Sequence, residues 1–237
     1  MNKPTRKKSP RYSEELIQEC LHVIQSGNIE DCFEIIPRIG VLRDERFHEP
    51  LLSLLRQKDI KRKEFAVYSM GAIGAHKFVE PLKKAFHECQ AARRFGAEEL
   101  QLAIIEAIGA IGDDAAVDFF LPMIKDPEGG KKSRKVTRWI IESLGAIAQQ
   151  GGVRSLDALL ELTWHGDPEV QAHAISELSV AYWHRPNDIA DPTLDRICQL
   201  TKDHNLVVSE SALSALQSLA DVGCRRAERL FSPGHNA

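Results

Sequence analysis

An eight-residue pattern recurs six times along this chain of 237 residues. Every copy has two apolar residues, two variable residues, one apolar residue, one usually small residue, one variable residue and one apolar residue. The copies begin at Ile35, Ala66, Ile104, Ile140, Ala174 and Ala212, with spacings of 31, 38, 36, 34 and 38 residues. Apolar residues at i, i+1, i+4 and i+7 share one face of a helix but not of a strand. Each copy therefore predicts a helix with one buried face.

The sixth position of the pattern predicts how these helices pack. It is occupied by Gly40, Gly71, Gly109, Gly145, Ser179 and Gln217. A glycine inside a helix costs about 1 kcal/mol relative to alanine, so its recurrence in one register indicates a close approach of backbones. A shorter apolar segment with helical spacing follows each copy, beginning at Phe47, Phe78, Ala116, Val153, Leu194 and Ala227. The repeated unit is thus predicted to be a helical hairpin.

A hairpin of this size cannot bury its apolar face alone, so successive hairpins are expected to stack on their neighbours. We predict an all-α fold, an α-solenoid of about six hairpins. A helix that opens at Ser13 and ends near Gly27 is expected to cap the N-terminus. The predicted organisation is a basic disordered tail over residues 1–11, a single solenoid over residues 12–231 and a frayed C-terminus over residues 232–237.

Two segments of the chain, AIGAIGDDAAVDFFLPMI and HGDPEVQAHAISELS, resemble HEAT repeats of the bacterial kind that is also found in phycobilisome lyases. The resemblance covers roughly residues 29–231. It implies HEAT-like hairpins and the role of a scaffold or adaptor, since few members of the family are enzymes. It also implies an alternative function, that of a lyase-like or chaperone-like factor for bilin-bearing proteins.

Two His-Glu pairs test a resemblance to deoxyhypusine hydroxylase, a repeat enzyme that presents such pairs to a di-iron centre. The pairs here are His48 with Glu49 and His87 with Glu88. Metal ligands must converge on one point, so the pairs should occupy equivalent positions in their repeats. His48 lies at the start of a second helix and His87 near the end of one. We therefore expect surface histidines and no metal.

No other pattern in the sequence predicts an enzyme or a cofactor. The five cysteines contain no CxxC pair, which indicates buried or idle thiols. No nucleophile elbow, phosphate loop or dinucleotide-binding turn is present. The chain has no apolar stretch of membrane-spanning length, and its N-terminus lacks the apolar core of a signal peptide. A cytoplasmic, non-enzymatic protein is the expectation.

Charge is distributed unevenly along the chain. Residues 1–138 carry 24 basic and 21 acidic side chains, whereas residues 139–237 carry 7 and 13. Three turns that join successive hairpins are basic, and such turns line up along one edge of a repeat stack. A basic ridge of this kind could bind an acidic or phosphorylated protein segment or a phosphate polymer. Nucleic acid is disfavoured by the net charge of −3.

The leading prediction is an adaptor that holds another protein on a concave face lined by the second helices. Trp183 stands beside His184 and Arg185 in a long turn, and it is a candidate for an exposed contact. The remaining candidates for partner binding are the cations of the basic turns: Lys61, Arg62, Lys63, Arg93, Arg94, Lys131, Lys132, Arg134 and Lys135.

Overall fold

The computed structural model describes residues 12–92, 96–125 and 131–231, and in these ranges it is built of helices joined by turns. The helices are α1 (Tyr12–Ser26), α2 (Ile29–Glu34), α3 (Ile36–Leu42), α4 (His48–Leu55), α5 (Ile60–Ile73), α6 (Val79–Ala92), α7 (Ala97–Ile111), α8 (Val117–Lys125), α9 (Lys131–Gln149), α10 (Val153–Leu162), α11 (Pro168–Ala181), α12 (Asp191–Leu200), α13 (Leu206–Asp221) and α14 (Arg225–Phe231). The predicted tail over residues 1–11 and the predicted frayed end over residues 232–237 lie outside these ranges.

The predicted fold class is confirmed, because every copy of the eight-residue pattern is helical and a second helix follows each copy. The first helices of the hairpins are α2 with α3, then α5, α7, α9, α11 and α13. The second helices are α4, α6, α8, α10, α12 and α14. As predicted, α1 precedes the first hairpin and ends just before Gly27.

The chain divides into two compact units, Met1–Ala107 and Ile108–Ala237. In the N-terminal unit, α3 and α4 pack against α5, and α1 packs against α3 and α4. In the C-terminal unit, α11 packs between α9 and α13, and α9 and α13 also contact α10 and α14, the second helices of their own hairpins. The second helix that α11 contacts is α10 of the preceding hairpin. Stacking of neighbouring hairpins is thus present inside each unit.

Short polar side chains begin the first helices. Asn28, Asp59, Asp167 and Asn205 each accept a hydrogen bond from a backbone N–H in the first turn of the helix that follows. These bonds satisfy donors that have no partner within the helix. Pro168 follows Asp167 at the first helical position, where its missing N–H costs nothing. The turns before first helices are therefore fixed by local sequence.

The first helix of the first hairpin is divided into two. The first copy of the pattern, from Ile35, is helical from Ile36 in α3, and Ile35 separates α3 from α2, which ends at Glu34. Pro37 lies in the first turn of α3 and has no N–H to donate to the carbonyl of Phe33. The first helix of this hairpin is consequently two short helices.

Glycines of the pattern lie where the next first helix comes close. A Cβ atom built on Gly109 would lie 2.7 Å from Cβ and 2.9 Å from Cα of Ser143. In the N-terminal unit, a Cβ on Gly71 would lie 3.0 Å from Cα of Ala107. At Gly145 the neighbour is the side chain of Glu177, whose Cβ would lie 3.1 Å away. In these three copies the sixth position is therefore a point of close helix contact.

Candidate partner-binding cavity

A cavity of about 460 Å³ lies between the N-terminal halves of α9 and α11 in the C-terminal unit. The end of α8 contributes Ile124 to its lining, and the turn before α11 contributes His165. Such a volume is within the range of roughly 300–1,000 Å³ that is usual for ligand sites.

One wall of the cavity is basic and is formed by the first turns of α9. Arg134, Lys135 and Arg138 all line it and are all exposed to solvent. Nε of Arg138 donates a 2.8 Å hydrogen bond to Glu142, one turn further along α9. Among the residues that the structure describes, Lys135 forms no ion pair. Its ammonium group is thus available to an incoming anion.

The floor of the cavity is apolar. Ile124 and Ile141 are 1% and 0% exposed, and Val170 contributes from α11. Ile141 is the second residue of the eight-residue pattern in α9, so the register that builds the core also places an apolar surface beneath the cations. An apolar side chain that reached this floor would be removed from water.

The wall formed by α11 carries groups that are held by local hydrogen bonds. Asp167 accepts from the backbone N–H of Glu169 at 2.9 Å, and the N–H of Asp167 donates to Nδ1 of His165 at 3.0 Å. Glu169 lies 3.7 Å from a guanidinium nitrogen of Arg134, and both side chains are more than half exposed. An exposed pair at this distance contributes little stability, about 0–1 kcal/mol, and is readily exchanged for another partner.

Below the cavity, along the same pair of helices, two carboxylates approach each other. Burial raises the pKa of Glu177 to about 7, and the nearby carboxylate of Glu142 acts in the same direction, whereas Arg138 opposes them. Arg138 and Glu142 are four residues apart on α9, and His173 and Glu177 are four residues apart on α11. Glu142 and Glu177 therefore lie one turn beyond Arg138 and His173 along the two helices, outside the lining of the cavity.

The structure separates the predicted cations into different environments. Lys61 donates to Glu64 at 2.7 Å, and Arg62 donates to the carbonyl of Gly27 at 3.4 Å. Lys63 is half-buried. These three belong to the N-terminal unit, whereas Arg134 and Lys135 line the cavity of the C-terminal unit. Of the predicted cations whose side chains the structure describes, Arg134 and Lys135 are the two that line one cavity.

The remaining predicted cations cannot be assigned contacts. Arg93 and Arg94 lie outside the described residues. Lys131 and Lys132 belong to the first turn of α9, but their side chains lie outside the described part of the chain. Their position in the sequence places both one turn before Lys135. The ridge that would join these turns stays a prediction.

Two tryptophans are exposed in the C-terminal unit. Trp183 is 49% exposed and lies at one end of a groove of about 350 Å³ between α11 and α13. Trp164 is 57% exposed, and the guanidinium carbon of Arg196 lies 4.4 Å from its ring centroid. The sequence singled out Trp183 as a candidate contact, and the structure shows it to be exposed. The stacking of Trp164 was missed because Arg196 lies one repeat further along the chain.

The expectation that His48 is a surface residue is wrong. The side chain is 6% exposed, its ring packs edge-on against Phe78, and neither ring nitrogen has a hydrogen-bond partner. Burial lowers the pKa of His48, with Lys77 acting in the same direction. His87, by contrast, is exposed as expected. The helix α4 begins at His48, and this position is part of its buried face.

The described ranges contain no cluster of three or more histidine, cysteine, aspartate or glutamate side chains that could hold a metal ion. In the same ranges, none of the helices combines the length and the apolarity needed to cross a membrane. All five cysteines are free, and burial raises the thiol pKa of Cys20, Cys32, Cys89 and Cys198. These thiols are therefore poor nucleophiles at neutral pH.

Comparison with known families identifies the part of the chain that contains the cavity. Residues 89–179 match a family model described as HEAT repeats. This stretch of the chain is similar to HEAT repeats. All the cavity residues fall within this range, from Ile124 to His173. HEAT repeats generally mediate protein–protein interaction. The match does not distinguish the bacterial subtype with its relation to phycobilisome lyases, which stays a prediction.

Two solved structures are similar to the chain. One is the crystal structure of an engineered protein, with 17% identity and a TM-score of 0.46, covering 90% of this chain and 98% of the other. The second is a HEAT-like repeat protein of the archaeon Thermococcus onnurineus NA1, with 18% identity and a TM-score of 0.46, covering 90% of this chain and 82% of the other. No curated protein matches the sequence.

Proposed function

We propose that this HEAT-repeat chain is a non-enzymatic adaptor whose partner inserts an acidic segment with an apolar side chain into the α9–α11 cavity. The observation that supports this proposal is the combination of a cationic wall with an apolar floor in one concave site. Such a site favours a ligand that carries both kinds of group.

The cationic wall would receive carboxylates of the segment. Lys135 is exposed and forms no ion pair with any side chain in the described ranges, so pairing with the partner breaks no existing contact. Arg134 would exchange its long, exposed pair with Glu169 for a carboxylate of the partner. Charge complementarity of this kind mainly raises the association rate and the specificity.

The apolar floor would supply most of the affinity. Burying one leucine or phenylalanine side chain contributes about 1.5–3 kcal/mol. Ile124 and Ile141 are 1% and 0% exposed, so the gain would come from the partner's side chain leaving water and not from covering these two residues.

The cavity is formed mainly by the first helices of two repeats. The sequence predicts a different binding face, lined by second helices, and that face remains a prediction beside the proposed cavity. The cations of the N-terminal unit are a less favourable site because Lys61 and Arg62 already donate to Glu64 and to the carbonyl of Gly27.

Fluorescence anisotropy with a defined probe tests the proposal. The probe is a fluorescein-labelled peptide, Glu-Glu-Leu-Glu-Glu-Leu-Glu, with a second peptide in which glutamine replaces each glutamate. We expect the acidic peptide alone to bind, and we expect Lys135→Glu to weaken it at least tenfold. Lys202→Glu, which reverses an exposed cation that does not line the cavity, is the matched control and should change affinity less than twofold. Equal effects of the two variants would contradict the proposal.

Two further probes of the purified chain test the two alternatives that the sequence leaves open. Tighter binding of a single-stranded oligonucleotide than of the acidic peptide, with the same dependence on Lys135, would favour the phosphate-polymer alternative. An absorbance shift of a bilin on mixing with the purified chain would favour the lyase-like alternative. Failure of all three probes would leave the site without support.

A further inference from the structure

The α9–α11 cavity contains a hydroxyl group that the packing of the chain does not use. Thr137 lines the cavity, although the residue is 7% exposed. In the described ranges its hydroxyl forms no hydrogen bond with another residue. A nearly buried hydroxyl without a partner is unfavourable, so a ligand oxygen that accepts its hydrogen bond is bound more strongly than it would be at an exposed position.

Thr137 lies between the cations of α9 and the apolar floor. With 3.6 residues per turn, Arg134, Thr137, Arg138 and Ile141 lie on one face of the helix, at i, i+3, i+4 and i+7. All four line the cavity. A ligand group that is held by Thr137 is therefore within about one helical turn of two guanidinium groups and of an apolar side chain.

The cations beside Thr137 have hydrogen-bond donors that are not in use. Nε of Arg138 donates to Glu142, but its two terminal nitrogens form no hydrogen bond within the described part of the chain. Lys135 has no ion pair there either. The terminal nitrogens of an arginine form a planar fork that matches two oxygens of a phosphate or a carboxylate.

The wall opposite α9 supplies one more donor. Nδ1 of His165 accepts a hydrogen bond from the backbone N–H of Asp167 at 3.0 Å, so the neutral ring carries its proton on Nε2. His165 lines the cavity, and its Nε2 has no hydrogen-bond partner among the residues that the structure describes. The local hydrogen bond thus fixes this ring as a donor.

A phosphoryl group uses this set of donors more completely than a carboxylate does. A carboxylate has two oxygens and a single charge. A phosphorylated side chain has three acceptor oxygens and a charge of about −1.5 to −2 at pH 7. The hydroxyl of Thr137, the fork of Arg138 and the ammonium group of Lys135 can then each bind oxygen of the same group.

Two carboxylates restrict the ligand to a single phosphoryl group. Asp167 and Glu169 line the same cavity and would repel a second phosphate close to the first. A nucleic acid carries a phosphate at every nucleotide, whereas a phosphorylated peptide carries one beside ordinary side chains. The apolar floor of Ile124, Ile141 and Val170 fits an apolar neighbour of the phosphorylated residue.

We propose that the cavity recognises a phosphorylated serine or threonine of the partner, next to an apolar residue. This inference rests on the proposed function, since it identifies the acidic group of the docking segment. Thr137 donates its hydroxyl hydrogen to one phosphoryl oxygen, and Arg138 and Lys135 neutralise the charge. Thr137 is thereby the residue that distinguishes a phosphoryl group from a carboxylate.

Fluorescence anisotropy with three labelled peptides tests the inference on the unaltered full chain. The peptides are Ala-Ala-Leu-Xaa-Leu-Ala-Ala, in which Xaa is phosphoserine, glutamate or serine. Because the phosphoryl group gains a charge-assisted hydrogen bond from Thr137, we expect the phosphoserine peptide to bind roughly tenfold more tightly than the glutamate peptide. The serine peptide should bind most weakly.

Variants at position 137 test the role of the hydroxyl. Thr137→Val replaces it by a methyl group of similar size and should weaken the phosphoserine peptide by roughly fivefold or more, with little effect on the glutamate peptide. Thr137→Ser keeps the hydroxyl and should keep the preference. Thr193→Val is the matched control, because Thr193 is 5% exposed in the same unit and does not line the cavity.

The outcomes separate this inference from the proposed function. Equal affinities for the phosphoserine and glutamate peptides, with binding of the glutamate-rich peptide described above, would overturn the inference alone. Absence of binding by every acidic peptide would overturn both. An unchanged preference in Thr137→Val would overturn the role of the hydroxyl, and a thymidine hexanucleotide that binds more tightly than the phosphoserine peptide would overturn the choice of a peptide ligand.

Discussion

Replacing Gly109 by alanine tests why glycine occupies the sixth position of the pattern. The reason is either the close contact between helices or the backbone flexibility of glycine. The new Cβ would lie 2.7 Å from Cβ and 2.9 Å from Cα of Ser143, whereas ordinary van der Waals contact begins at 3.4 Å. The Cα atom of Ser143 belongs to the backbone of α9. It cannot move aside as the end of a flexible side chain could, so the two helices must separate.

Two opposing effects determine how much Gly109→Ala changes the free energy of unfolding. Alanine at an open position inside a helix stabilises by about 1 kcal/mol relative to glycine. Overpacking of a tight contact costs about 1–3 kcal/mol. Because the overlap at Gly109 involves backbone, we expect overpacking to be larger and the net loss of unfolding free energy to be about 1 kcal/mol for alanine. Leucine at this position should reach the upper part of the overpacking range.

Urea denaturation followed by circular dichroism measures this loss as a lower midpoint with an unchanged slope. Gly166→Ala is the control, because a Cβ on Gly166 would meet nothing within 4 Å. Ser143→Gly in the background of Gly109→Ala removes the nearer atom and should restore part of the loss, a coupling that the double-mutant cycle reports. If Gly109→Ala raised the midpoint by the amount expected for an open helix, the close-contact argument would be refuted.

Three further predictions concern side chains with unusual surroundings. Because the pKa of His48 is lowered in the folded chain, the unfolded chain binds more protons below about pH 6.5, and stability decreases as the pH is lowered through this range. His48→Phe should flatten this part of a plot of melting temperature against pH. The raised pKa of Glu177 acts in the opposite sense, since stability falls as pH rises from about 4.5 to about 7, and Glu177→Gln should gain about 1 kcal/mol at pH 8; an unchanged stability there would count against the burial of this carboxylate. Arg196 stacks on Trp164 and donates to the carbonyl of Thr163 at 2.8 Å, so Arg196→Ala should cost about 1 kcal/mol in thermal unfolding, and a cost no larger than that of Lys202→Ala would contradict this contact.

The repeat architecture could be predicted from the sequence because its signals are local and recur. Spacing of apolar residues defines each helix, and Asp167 with Pro168 marks the start of α11 in the sequence as it does in the structure. Recurrence of glycine at the sixth position predicted a close contact, which the geometry at Gly109 shows. Each of these features needs only residues within one repeat or the register between repeats.

The cavity could be predicted only in part, because it depends on contacts between residues one repeat apart. Nothing in the sequence distinguishes Lys135, which has no ion pair in the described ranges, from Lys61, which is paired with Glu64. The burial of His48 had a signal that was overlooked: it lies three and seven residues before Leu51 and Leu55, on the apolar face of α4. A polar residue at a position in register with buried apolar residues should be predicted to be buried as well.

The close contact of Gly145 with Glu177 links the packing of α9 and α11 to the electrostatics of the groove between them. The space where a Cβ of residue 145 would stand is filled by the carboxylate of Glu177, so the missing side chain on one helix is what lets a carboxylate lodge between two helices. Any larger residue at this position would push that carboxylate outward, closer to solvent and to its ordinary acidity. The charge that Glu177 carries near neutral pH is therefore set in part by the residue at position 145 of the neighbouring helix, and neither position lines the cavity.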